Sequence, residues 1–403
     1  MDPMVKPTGK RWAILFVIFI GCVVGSFAQF VTTAFGGYLM NDLGLSTSQF
    51  GAITMCPMLT GIFFSIFAGT LADKKGVRFS VFIAGIIGII GAALRIISTS
   101  YAMLMIASFL LGFLPVFISS NSAKLISEWF PKKEISLAMG IFMAGGGAGN
   151  AIAQAITAYF GTFYTACVVT LIMMVIAYVL FLVVASDRPE GATPPPADVP
   201  VSETIGNVLR LKHIWVIGLT MICFMVGNMT VSIYLTTALT TKGVPVTTAG
   251  FVTSAFAIGI MLGTIFGVAV ILKIGKGKFR IPSLIVGIIG GICIYVGWML
   301  ASPAITAAFM FIGALCCGAL VPVSMSAMVY IPGMKPEYMG AAGGYANMMR
   351  FLAAFVFPSY IIAPIAGSNF NVFMIFAAVA VVLFGVFTMG LPEVLKKQPD
   401  PVN

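Results

Sequence analysis

Apolar stretches of about 20 residues, interrupted at short intervals by glycine, proline and basic residues, recur from one end of the chain to the other. Each is long enough to cross about 30 Å of hydrocarbon as a helix rising about 1.5 Å per residue. Runs and breakers together predict helices near residues 12–39, 50–71, 79–98, 102–127, 136–160, 163–185, 213–239, 247–271, 281–300, 304–330, 338–364 and 370–391. The expected fold class is an all-α membrane protein of twelve transmembrane helices in two six-helix bundles, related by a pseudo-two-fold axis along the membrane normal.

The polar residues between the stretches carry the orientation. Of the 22 lysines and arginines, all but Arg95, Lys124, Lys242 and Arg350 fall on one side when the helices alternate in direction, and that side includes the N-terminus. The positive-inside rule then predicts a multi-pass protein of the inner (plasma) membrane with both termini cytoplasmic. The first helix follows Lys10 and Arg11 but lacks a small-residue cleavage site, so it is expected to remain in the mature protein. From Asp187 to Pro200 (DRPEGATPPPADVP) the chain is polar and proline-rich, as an extended cytoplasmic linker would be. The expected organisation is an N-terminal bundle of residues 1–186, a linker over 187–212, and a C-terminal bundle of 213–403 with a short tail. The halves also match at an offset of 200 residues. Met139 and Gly140 meet Met339 and Gly340, and the glycine-rich run 144–149 meets 341–344. Parallel repeats of this kind place a binding site near the bilayer midplane, where the bundles meet.

Composition agrees. The chain is 60% hydrophobic and 8% charged, far from the roughly 25% charged residues of a soluble domain. The net charge of +10 is spread over loops and is not gathered on a face, so no nucleic-acid partner is expected. Seven cysteines lie inside apolar runs without CxxC spacing, and one histidine cannot complete a ligand set, so neither metal nor cofactor is expected. GxSxG, HExxH and P-loop patterns are absent, which leaves no catalytic residues to name and argues against an enzyme. No filter-like segment suggests a channel.

Between the second and third helices the chain reads GTLADKKGVR, from Gly69 to Arg78. This resembles the signature loop GxLaDrxGxR of the major facilitator superfamily, and the twelve spans and central linker extend the resemblance over nearly the whole chain. Gly61, Ser65 and Gly69 at four-residue spacing are expected to let the second helix pack closely on a neighbour. The resemblance implies that Asp73, Arg78, Gly69 and Gly76 form a latch favouring one access state, with Asp73 accepting hydrogen bonds from a facing helix N-terminus; a plain topogenic basic loop is the alternative. The corresponding stretch of the second half, from Lys273 to Arg280, is basic but has no aspartate. The run Met143–Gly149 is similar to the glycine-rich fifth helix of antiporters and nitrate carriers but lacks the antiporter proline, so it predicts close packing only.

Charge inside the bilayer costs about 2.5–3.5 kcal/mol even on the lenient insertion scale. Arg350 falls near the middle of the eleventh helix and is the leading candidate to bind substrate; ties to backbone carbonyls or asparagines are the alternative. Lys124, one turn inside the cytoplasmic end of the fourth helix, offers a second cationic contact, or else snorkels or pairs with Glu128. Arg95 lies near the outer end of the third helix and is expected to snorkel, so that Arg95→Gln would matter little. Every carboxylate lies in a loop or at a helix end. A cavity with fixed positive charge and no buried acid favours an anion and offers no site for a coupling proton. Gln29, Asn121, Asn150, Gln154, Asn228 and Asn347 supply neutral polar groups at mid-helix depth, each with an interhelical hydrogen bond as its alternative role. Tyr38, Tyr234 and Tyr345 are candidates to add hydroxyls to the cavity, although interfacial anchoring also explains Tyr38. At the 200 offset, Asn150 and Arg350 stand at equivalent positions.

The expected activity is secondary transport of a small organic anion by alternating access, through exchange or facilitated passage, with residues 1–186 rocking against 213–391. The partners are a small anionic substrate and the lipid bilayer, and the chain is expected to act as a monomer. Oxalate–formate carriers share a cation in the eleventh helix, but residues 247–271 hold none here. Nitrate, nitrite or cyanate carriage is the alternative, although the second and eighth helices lack the arginine pair of nitrate carriers. A multidrug or neutral-solute exporter, suggested by 25 methionines and 34 phenylalanines, is a third reading.

Overall fold

In the computed structural model, residues 9–187, 206–274, 278–300, 302–334 and 339–392 are described. The linker expected at 187–200 lies almost wholly outside them. The described residues form twelve long helices: α1 (Lys10–Asn41), α2 (Thr47–Lys75), α3 (Val77–Ile96), α4 (Tyr101–Trp129), α5 (Lys132–Ile156), α6 (Phe163–Val184), α7 (Lys212–Thr241), α8 (Val246–Ile274), α9 (Arg280–Met299), α10 (Pro303–Ala327), α11 (Met339–Val356, continuing through Phe357–Ile362 to Ala363–Ala366) and α12 (Phe370–Met389), and all but α2 and α5 contain a stretch long and apolar enough to cross a membrane. Large apolar side chains such as Phe63, Ile106, Val183 and Ile265 stand exposed along them, which is tolerable only with lipid as the solvent.

Local chemistry explains the short turns. Ser46 and Gln49 form a reciprocal capping box at the start of α2, and Ser100 and Thr162 cap α4 and α6. Between α2 and α3 only Gly76 is non-helical, with φ of 91°, a conformation that disfavours any residue with a Cβ. The signature stretch expected as a loop is therefore mostly helix: Gly69 to Lys75 are the last turns of α2. Two irregularities escaped the sequence. α1 leaves α-geometry for a 3-10 stretch at Val31–Phe35, and α11 widens to a π-helix at Phe357–Ile362.

The described chain divides into two compact units. The first comprises Met1–Pro196, Ser232–Ala257 and Phe355–Phe370; the second comprises Ala197–Val231, Ile258–Ala354 and Asn371–Asn403. Thus α7, α8 and α11 each divide part-way along their length. Their ends on the face opposite the N-terminus belong with α1–α6.

Backbone approach at glycine holds each unit together, as expected where apolar burial gives no preference for helix over lipid. In the first unit, a Cβ at Gly145 would stand 2.9 Å from the Phe19 carbonyl, and one at Gly149 would overlap that of Val23, so α5 lies directly on α1. In the second, a Cβ at Gly259 would stand 2.5 Å from the Phe311 carbonyl, with Gly263 and Gly267 against the same stretch of α10, while Gly287 of α9 meets Gly385 of α12. Gly69 does not follow this pattern. No atom of the described residues lies within 4 Å of a Cβ built on it, so the close packing expected of Gly69 is overturned; Gly343 and Gly344 of α11 are equally open among the described residues.

Gly149→Ala should lower the thermal stability of the detergent-solubilised protein, since relieving a clash with backbone costs about 1–3 kcal/mol. Gly69→Ala should leave stability unchanged or raise it by up to about 1 kcal/mol, read as a melting temperature no lower than the parent's.

Candidate functional site

Among the described residues, polar side chains within the spans gather in two arrangements, one in each unit. In the second unit, α11 carries Arg350 half-buried, with its guanidinium carbon 5.6 Å from the centre of the Phe224 ring of α7. Its hydrogen bond is long, from Nη1 to Asn347 Oδ1 at 3.4 Å, one turn earlier on the same helix. Its Nε–H is buried with no acceptor among the described residues. A cation stacked on an aromatic face and so sparsely paired retains a donor edge for a carboxylate or another planar anion. Asn347 is exposed, and Asn228 is buried on α7. Tyr345, proposed from sequence as a substrate contact, is 9% exposed and packs edge-on to Trp215 at 5.8 Å, its hydroxyl 2.5 Å from where a Cβ on Gly218 would be. That is a packing position against α7.

In the first unit the polar residues form a belt on the face opposite the N-terminus. Thr32 and Thr33 on the 3-10 stretch of α1 reach outward: Thr32 Oγ1 lies 3.0 Å from Thr54 Oγ1 of α2, and Thr33 Oγ1 donates to Gln154 Oε1 of α5 at 2.9 Å. Gln154 also accepts from Thr236 Oγ1 at 3.3 Å and donates through Nε2 to the Ser232 carbonyl at 2.9 Å, both on α7. Thr236 in turn shares a hydrogen bond with Thr253 of α8 at 2.9 Å. Nearby, the Tyr234 hydroxyl donates to the Thr47 carbonyl at 3.0 Å, and Ser48 donates to the Ser359 carbonyl in the π-helical stretch of α11. Gly36 fits against Thr237 and Gly51 against Tyr234, where any side chain would overlap. Tyr234 is fully buried in this belt, so the expectation that it lines a cavity is corrected.

The remaining candidates are engaged within the first unit. Gln29 is buried, its Nε2 3.5 Å from Met55 Sδ; Asn121 donates to the Phe117 carbonyl at 2.9 Å and the Ala68 carbonyl at 3.4 Å, tying α4 to α2; Asn150 accepts from Gln154 at 3.5 Å. Lys124 Nζ donates to the Ala72 carbonyl at 3.3 Å, where the C-terminal dipole of α2 favours a cation. Lys124 also lines a cleft of about 330 Å³ with Lys74, Lys75, Gly76, Glu128 and Asp187. The Asp73 side chain lies outside what is described. At the start of α3, Asp187, three residues beyond the end of α6, accepts the Arg78 backbone N–H at 2.7 Å and lies over Gly76, leaving no room for a Cβ. The Arg78 side chain is exposed.

Arg95 corrects the sequence reading most sharply. It does not snorkel. It is 1% exposed, with Nη1 donating to the Ala28 carbonyl at 2.7 Å and Nη2 to Ser108 Oγ at 2.8 Å. A guanidinium on an otherwise apolar helix has no partner visible in sequence, because Ala28 supplies only backbone and Ser108 is one hydroxyl among many. Gln154 was legible as a polar residue at mid-helix depth, but its belt partners were not.

Gln154→Leu should speed amide hydrogen exchange over residues 232–241 on the order of tenfold, through loss of three buried hydrogen bonds of about 0.6 kcal/mol each. Asn150→Ala, which removes one 3.5 Å contact, should change it far less.

Residues 17–358 match the profile of the Major Facilitator Superfamily. The hexuronate transporter of Escherichia coli K12 is 27% identical over 150 residues, 37% of this chain and 35% of that protein. The galacturonate transporter of Dickeya chrysanthemi is 27% identical over 150 residues, 37% of this chain and 44% of that protein. A nitrate/nitrite transporter of Picosynechococcus is again 27% identical over 150 residues, 37% of this chain and 27% of that protein. The chain thus matches less than half the length of these curated relatives. Among solved structures, a bacterial homologue of the human lysosomal transporter Spinster, inward-facing and unoccupied, superposes with a TM-score of 0.72 at 15% identity, covering 94% of this chain and 95% of that one. The nucleoside transporter NupG, solved as a point mutant, gives 0.74 at 14% identity, covering 95% and 99%.

Proposed function

Since the chain belongs to the Major Facilitator Superfamily, we propose that it is a secondary transporter carrying a small organic anion with a single carboxylate, and that Arg350 is the group that recognises the charge. The observation carrying this reading is the incomplete pairing of Arg350: one 3.4 Å contact and a buried Nε–H without acceptor among the described residues. Deep in a membrane such a cation is unfavourable until an anion supplies the missing oxygen atoms. A planar carboxylate satisfies the free edge bidentately, while Asn347 and the Phe224 face suit the hydroxyls and the apolar flank of a polyol or sugar acid. The hexuronate and galacturonate transporters among the relatives move anions of this kind. The second reading, an inorganic anion, is favoured by the similarity to the nitrate/nitrite transporter.

The carrier works by alternating access in the plasma membrane as a single chain with cytoplasmic termini. In the state described, the far ends of α7, α8 and α11 belong with α1–α6 through neutral hydrogen bonds. In the opposite state these contacts part and residues 213–391 move as one bundle. Exchange needs no coupling carboxylate, in keeping with acids that lie only in loops and at helix ends.

Proteoliposomes preloaded with unlabelled glucuronate should accelerate uptake of labelled glucuronate, and Arg350→Gln should abolish this counterflow. Binding, read as ligand-induced thermal stabilisation, should weaken on the order of 30-fold or more, the equivalent of losing about 2 kcal/mol from a buried charge pair. Unchanged affinity in a folded Arg350→Gln protein would discard Arg350 as the ligand, and counterflow of nitrate but not glucuronate would favour the second reading.

A further inference from the structure

Arg95 is a full positive charge at 1% exposure, and among the described residues it pairs with no carboxylate. Its Nε–H, like that of Arg350, is buried without an acceptor among the described residues, but unlike Arg350 it is held by two short hydrogen bonds, at 2.7 and 2.8 Å, and is sealed from solvent. A substrate role therefore does not fit. Yet a neutral pair of side chains would join α3 to α1 at far less cost than a buried guanidinium. What distinguishes this contact is its place on α1.

Ala28, whose carbonyl Arg95 grips, lies in the last turn of the α-helical part of α1, which ends at Phe30. Carbonyls at a helix C-terminus carry the negative end of the dipole and attract a cation. Directly beyond, the 3-10 stretch Val31–Phe35 turns Thr32 toward Thr54 and Thr33 toward Gln154. Successive residues of a helix are about 100° apart around its axis, so moving the break by one residue would swing both threonines away from their partners. Gln154 is in turn the hub that reaches Ser232 and Thr236 on α7. Hydrogen bonds thus join Arg95 on α3 to the Ala28 carbonyl, the α1 backbone carries on through the break to Thr33, and hydrogen bonds lead from there to α5 and α7, within the first unit.

We propose that Arg95 is a positioning residue that sets where α1 breaks, and thereby holds Thr33 against Gln154, so that closure of the belt opposite the N-terminus depends on a charge outside it. The charge is suited to this because its solvation depends on the Ala28 carbonyl being presented at one depth and angle. When the break shifts, the guanidinium loses that acceptor, so the arrangement favours one register. This inference adds to the anion reading but does not require it.

The test uses a cysteine reporter at Thr237, which is 4% exposed inside the belt against Gly36. The purified full chain carrying Thr237→Cys is treated with a water-soluble maleimide, and modification at residue 237 is followed by peptide mass spectrometry, which separates it from the seven native cysteines. No substrate is needed, so failure of the anion assignment leaves the experiment intact. Adding Arg95→Gln should raise the modification rate about three- to tenfold. Arg95→Lys, which retains the charge but reaches one acceptor, should fall between that variant and the parent. Ser108→Ala, which leaves the Ala28 contact in place, should change the rate by less than about twofold. If Arg95→Gln does not fold, Arg95→Lys decides: a rise of about twofold or more at a parental melting temperature supports the proposal. A folded Arg95 variant that melts lower but labels at the parental rate would make Arg95 a structural clamp and overturn it, as would a Ser108→Ala rate matching that of the Arg95 variants.

Discussion

A charge inside hydrocarbon must find its solvation in protein or in ligand, and this requirement sorts the intramembrane cations of the chain. Arg95 is solvated by protein, through the Ala28 carbonyl and the Ser108 hydroxyl, and is almost wholly enclosed. Lys124 reaches the carbonyl end of α2 at the Ala72 oxygen and opens on a charged cleft. Arg350 retains a buried, unmatched N–H beside an aromatic ring. Arg95 also keeps a buried Nε–H without an acceptor among the described residues, so what sets Arg350 apart is its single long hydrogen bond and its partial exposure; the roles proposed for the three are positioning, helix-end contact and substrate recognition.

The belt on the face opposite the N-terminus is built from neutral groups. Threonine, glutamine, serine and tyrosine meet carbonyls and one another across α1, α2, α5, α7, α8 and α11, with glycines where backbones approach. In a membrane each such bond contributes about 0.6 kcal/mol on average, because parted groups find other partners nearby. Several together hold these helices in one unit, while each alone is weak, which suits the alternating-access cycle proposed above. A buried ion pair would resist parting far more strongly, since each charge left alone is costly.

At the other face the contacts are charged and interfacial. Arg11 pairs with Glu134 at 3.2 Å, Lys10 donates to Ser186 Oγ at 2.7 Å, and Asp187 caps the start of α3 above Gly76. Charged contacts are tolerated where water is close.

Whatever depends on composition within a single helix was readable along the chain. The twelve spans, the side bearing the basic loops, Arg350 as the cation near mid-helix and the signature stretch at Gly69–Arg78 all follow from local hydropathy, charge and spacing, because lipid imposes the same demand on every residue of a span. Pairings between helices were not readable. Asp187 at the head of α3, Arg95 enclosed and not snorkelling, Tyr234 sealed in a belt, and Gly69 open while Gly149 touches backbone all depend on which face each helix turns to which neighbour. Membrane helices are apolar on nearly every face, so periodicity cannot tell a lipid-facing side from a packed one. Many of the acceptors are backbone carbonyls, identical at every residue, and only their placement in the fold distinguishes the carbonyl of Ala28 from any other.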